Sequence, residues 1–293
     1  MSAHQQGLLF AFFGALVLSF DAMLIRLADT SEWQVLFWRG GLIAIAFGIL
    51  TWLFKQRIVY PSQPHLWFAI FAIALMYGLN TTLFVYAVSH TSTANTVVIL
   101  ASSPLFAALF SRLFLQERLA LRTLLTIAVA FVGVVSIVYQ SLGSGHLNGD
   151  LAALALAISM GAVLTALRCF ASLPLFPIIA LSGVVAAVLA LLNIEVAPLD
   201  IRWQQAQWLL IMGAIQIPLA TWLLMSATRL LPSAEVSLFL LIETVFGPVW
   251  VWLAVNEAVP ENTLFGGTLI LGAISLNSVI TLAKQKNRTS EHR

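Results

Sequence analysis

"GALVLSFDAMLIRLAD", residues 14–29, is an apolar run interrupted by one aspartate and one arginine. Read as a membrane-crossing helix, it carries two charges that each cost kilocalories at bilayer depth. The rest of the chain supports that reading. Of its 293 residues, 60% are hydrophobic and only 9% charged, far from the balance of a water-soluble domain. The class is an all-α integral membrane protein. The opening "MSAHQQGLLF" lacks the basic region and small-residue cleavage site of a signal peptide, so the first apolar run is expected to stay as a helix. A single cysteine, Cys169, excludes an intramolecular disulfide, and no CxxC or Cys/His cluster has metal-ligand spacing. Neither a metal nor a cofactor is expected. No basic tract points to nucleic acid.

A helix needs roughly 20 apolar residues to cross the hydrocarbon core. Ten stretches meet that length, at about 7–28, 33–54, 65–88, 93–114, 121–140, 149–170, 177–196, 205–230, 233–254 and 263–283. Turn signals such as "YPSQPH", "SLGSGHLNGD", "LPLFP" and "LLPSAE" separate them. With the amino terminus inside, 11 of the 14 Lys and Arg residues fall on the inner side, leaving Arg26, Arg39 and Arg202 toward the outside. Positive charge is retained in the cytoplasm, so both termini are expected there.

Sliding the chain on itself by 140 residues gives 12 identities over positions 74–124, among them Thr81/Thr221, Phe106/Phe246 and Glu117/Glu257. A repeat of five crossings must invert its second copy, so Glu117 lies inside and Glu257 outside. The expected organisation is a first repeat over 1–140, a second over 141–284 and a polar cytoplasmic tail over 285–293. Two inverted copies around a central site are a common basis for alternating access.

Ten crossings in a five-plus-five inverted repeat, with an acid after the fourth and ninth in "LFLQERLA" and "WLAVNEAVP", resemble the drug/metabolite transporter (DMT) superfamily, EamA-type. Within it the chain looks most like the YddG-type exporters of aromatic amino acids and related metabolites. The resemblance implies a metabolite exporter of a bacterial inner membrane, with a small-molecule substrate and a central cavity between the helices. It is expected to act as a monomer in the lipid bilayer, with protons as a candidate coupling partner.

Depth counted from the helix ends places candidate site residues. Asp21 and Arg39 both fall near 10 Å below the outer surface on adjacent crossings, so Arg39 is the expected partner of Asp21, as an ion pair or in coupling. Arg26, five residues on, is expected to reach the outer interface near Asp29 and Glu32. Glu243 in "FLLIETVFGP" lies near the midplane with no cation at its depth, which makes it a candidate to bind a substrate or carry a proton. Tyr77, Asn80, Ser102, Ser103, Met160 and Gln216 fall at similar depth and complete the expected substrate-binding ring.

Other features have simpler readings. Trp33, Trp38, Trp52, Trp67, Trp203, Trp208, Trp250 and Trp252 are expected in interfacial belts. Ala153, Ala157, Gly161 and Thr165, four residues apart, form a close-packing seam. Pro104 and Pro218 are expected to kink or hinge their helices. Glu235 suits a helix start, and Glu117 and Glu257 suit tight turns. A channel would need a continuous polar lining, which the clustered polar groups do not supply. An enzyme is not expected, because HExxH, GxSxG and a second midplane carboxylate beside Glu243 in the sequence are all missing.

Overall fold

A computed structural model describes residues 3–53, 64–116, 121–142, 145–170, 173–193, 200–231 and 233–291. Every regular element among them is helical: α1 Ala3–Leu18, α2 Asp21–Ala28, α3 Glu32–Leu53, α4 Pro64–His90, α5 Thr93–Leu100, α6 Ser103–Phe114, α7 Leu121–Gln140, α8 Leu147–Cys169, α9 Leu175–Leu191, α10 Trp203–Leu210, α11 Ile217–Thr228, α12 Ser233–Val255 and α13 Glu261–Glu291. A π-helical turn, Ile211–Gln216, joins α10 to α11.

Seven helical stretches, several of them built from two elements, are long and apolar enough to cross a bilayer. Two shorter apolar helices, Leu175–Leu191 and Phe239–Val255, fall in the expected seventh and ninth crossings. Large apolar side chains stand on the outside of the bundle, including Phe68 at 77% exposure and Phe131 at 60%. Such a surface suits lipid rather than water. The polar stretch expected as a tail from 285 continues α13 as helix to Glu291.

Among the described residues, three of the apolar helical stretches are interrupted. Pro104 has no N–H to give to Leu100, and the helix breaks just before it at Ala101 and Ser102, between α5 and α6. Pro218 follows the π-helical turn in the same way, since it cannot bond to the carbonyl of Ala214. The third break, at Ser19 and Phe20, contains no proline and separates α1 from α2 inside what the sequence presents as one helix.

The packing shows the internal duplication. α3 lies against α9 and α7 against α13, while the pairing of α1 with α11 is mirrored by that of α4 with α8. Glycines make the closest crossings. A Cβ on Gly40 would stand 2.6 Å from the carbonyl oxygen of Gly183, and one on Gly183 would stand 2.5 Å from that of Gly40. Gly133 and Gly266 meet reciprocally in the same way. The seam on α8 also forms: a Cβ on Gly161 would meet Phe106 at 2.6 Å, and the Thr165 hydroxyl is 3.2 Å from the carbonyl of Ala107. Gly40→Ala therefore forces two backbones apart and is expected to lower stability by about 1–3 kcal/mol, measured by thermal unfolding in detergent. Gly41→Ala is the matched control, because nothing lies within 4 Å of the added methyl.

Candidate functional site

The site begins at the break in the first crossing. Ending α1 at Leu18 frees carbonyls that a continuous helix would satisfy, and in a membrane these groups need donors from elsewhere. Side chains supply them. The Ser19 hydroxyl donates to the Leu16 carbonyl at 2.7 Å, and the Gln216 amide donates to Val17 and Leu18 at 3.0 and 3.3 Å. Trp250 on α12 donates its indole N–H to Ser19 Oγ at 2.9 Å and stacks on Phe20 with ring centroids 4.8 Å apart. The break is thus held from two sides. Gln216→Leu removes both amide bonds and is expected to cost about 1–3 kcal/mol of stability, read by thermal unfolding.

Immediately after the break, Asp21 opens α2, where a carboxylate suits the helix N-terminus. Arg39 on α3 donates from both terminal nitrogens to its two carboxylate oxygens, at 2.6 and 2.8 Å. Both residues are buried, at 5% and 7% exposure. The Phe84 ring lies under the guanidinium at 5.4 Å and Met212 Sδ is 3.5 Å from Nη1. Asp21 is tolerated at depth because a bidentate cation neutralises it.

Glu243 lies on α12, which packs against α2. Asn80 on α4 approaches Met160 on α8, with its amide nitrogen 4.0 Å from the sulfur. Ser102 closes the second break by donating to the Ile99 carbonyl at 2.6 Å, and Ser103 begins α6 beside it. Tyr77 is placed differently, in an apolar cluster with Ile73, Ala74 and Ile178. Its neighbours are therefore apolar residues of α4, α8 and α9.

Among the described residues, three buried polar atoms on α3, α4 and the π-helical turn have no hydrogen-bond partner: Arg39 Nε, Asn80 Oδ1 and Gln216 Oε1. Each such atom costs about 1–3 kcal/mol unless something binds it. They offer one donor and two acceptors.

A second polar layer gathers at the end of α2, the α4–α5 turn and the segment after α12. Arg26, at the end of α2, finds its partner on the segment after α12 rather than in the nearby Asp29 or Glu32. Its Nε lies 2.9 Å from Glu257 Oε2 and its Nη2 donates to the Thr91 carbonyl at 2.9 Å. Glu32 instead meets His90 at 3.4 Å. Nor does Glu257 serve a tight turn at α13: its other oxygen accepts from the backbone N–H of Thr93, the first residue of α5, at 2.6 Å. Glu117 lies outside the described residues, as does the Glu235 side chain.

Below this, Asp150 is fully buried. It accepts from Thr91 Oγ1 at 2.6 Å, from Asn95 Nδ2 at 3.0 and 3.2 Å, and from Ser141 Oγ at 2.5 Å. Thr263 in turn donates to Asn95 Oδ1. A cleft of about 600 Å³ opens over the layer, lined by Arg26, His90, Asn95, His146 and Glu257 among others. Sequence reasoning passed over Asp150, Ser19 and Phe84, and assigned Trp250 to the interface. A lone acid at the outer start of a crossing was the available signal for Asp150. Among the tryptophans, Trp52 and Trp203 are 78% and 70% exposed near helix ends, while Trp33, Trp38 and Trp208 pack on the central core.

Comparison with curated proteins finds no match. A solved crystal structure has the same fold, with 19% identity and a TM-score of 0.62 over 94% of this chain and 96% of its own. Residues 5–139 and 147–279 each match the EamA-like transporter family, so the duplication is present at the family level and spans nearly the whole chain. The protein therefore belongs to the EamA-like transporter family, a multi-pass membrane protein that carries small solutes.

Proposed function

We propose that the protein is a monomeric secondary transporter that exports amino acids by alternating access across a bacterial inner membrane. In this reading the helices make ten crossings, both termini are cytoplasmic, and the substrate binds between the two inverted halves. The observation that carries it is the set of unpartnered buried groups. Arg39 Nε is a charged donor, whereas Asn80 Oδ1 and Gln216 Oε1 are acceptors. An α-amino acid presents the complement, a carboxylate beside an ammonium group. Glu243 adds a carboxyl for the ammonium or for a proton. The stacked Phe20 and Trp250 rings, with Phe246 at 5.7 Å from Trp250, supply a surface for an apolar or aromatic side chain.

The test is uptake of a panel of labelled amino acids into proteoliposomes. Saturable transport of zwitterionic amino acids, competed by one another and not by the matching amines or carboxylic acids, is the expected result. Equal transport of molecules lacking either charged group would contradict the zwitterion site.

A further inference from the structure

α2 carries both polar layers. Asp21 starts it and Arg26 lies five residues further on, about 7.5 Å outward at 1.5 Å per residue. The helix is only eight residues long and is severed from α1 at Ser19 and Phe20, so it can tilt without moving the rest of the crossing. At its inner end it is held by Arg39, and at its outer end by Glu257 and the Thr91 carbonyl. Glu257 also holds the start of α5 through the Thr93 N–H. A single carboxylate thus ties together α2, the α4–α5 turn and the segment after α12, which come from both halves of the duplication.

We infer that α2 is a lever and the Arg26–Glu257 pair its outer latch, so that a change of partner at Asp21 is transmitted along α2 and opens the outer side of the central site. A substrate carboxylate at the Arg39 Nε–H shares the guanidinium charge with Asp21 and weakens that pair. When substrate draws on Arg39, the inner hold on α2 loosens, and its tilt separates Arg26 from Glu257. The latch is half-exposed beneath the outer cleft, at 26% and 22% for the two side chains, so water can solvate both charges once they part. Asp150 has a different part in this arrangement. Its four bonds join the α4–α5 turn to α8 and the end of α7 and do not touch α2, so it anchors the frame against which α2 moves.

The inference rests on alternating access, and its test needs no substrate, so it can fail independently of the amino-acid reading. Ser103→Cys in a Cys169→Ser background places one thiol at the centre of the bundle. In right-side-out vesicles its labelling by a membrane-impermeant maleimide reports outward opening. We expect Glu257→Gln to raise the labelling rate about tenfold, and Asp21→Asn, remote from the latch itself, to raise it as well. Arg26→Glu combined with Glu257→Arg should return labelling to near the parent rate. Asp150→Asn should lower the unfolding temperature without changing the labelling rate. Labelling unchanged by Glu257→Gln in protein that elutes as a single folded species overturns the latch. An increase caused equally by Asp150→Asn, or one that persists in the charge swap, also overturns it, since general loosening would then be the cause. If Glu257→Gln does not fold, Arg26→Gln is read against the same outcomes.

Discussion

Asp21→Asn is expected to destabilise the protein by about 3–5 kcal/mol and to abolish transport. The size follows from burial. Arg39 is 7% exposed and gives both terminal nitrogens to Asp21, so removing the carboxylate charge leaves a guanidinium without its bidentate partner in a medium that solvates it poorly. Arg39→Met should cost a similar amount by leaving Asp21 alone. The double variant Asp21→Leu/Arg39→Met separates fold from function. Replacing a buried pair with apolar residues of similar volume is often neutral or stabilising, so its unfolding temperature should recover most of the loss. Transport should not recover, because the Arg39 donor and the charge at the head of α2 are both gone. A double variant that transports would show that the pair is only structural.

Glu243→Gln is the second large effect. The amide keeps the shape and part of the hydrogen bonding but cannot exchange a proton or take a negative charge. In proteoliposomes the wild type is expected to accumulate substrate in response to a pH gradient, and Glu243→Gln to lose that response altogether while still equilibrating substrate. Stability should change little compared with Asp21→Asn, since among the described residues no ion pair involves Glu243. Gradient-driven accumulation that survives in Glu243→Gln would remove Glu243 from coupling.

The all-helical, membrane-spanning class was readable because lipid imposes a strong constraint: runs of about 20 apolar residues leave few alternatives. Two of the three helix interruptions were marked by Pro104 and Pro218. The third was not, because "LSFDA" contains nothing that forbids a helix. It is created by tertiary partners, Gln216 and Trp250, that lie about 200 residues away. The same limit explains Arg26. Local depth counting pointed to Asp29 and Glu32, whereas the partner, Glu257, comes from the other copy of the repeat.

Counterflow is the measurement that bears most directly on the central claim. Proteoliposomes preloaded with an unlabelled amino acid are exposed to a trace of the same labelled compound outside. Alternating access around one central site predicts that preloading accelerates labelled uptake, that the internal label transiently exceeds its equilibrium level, and that the effect saturates with internal concentration. Uptake that rises linearly with concentration and is indifferent to preloading would contradict it and identify an open pore instead.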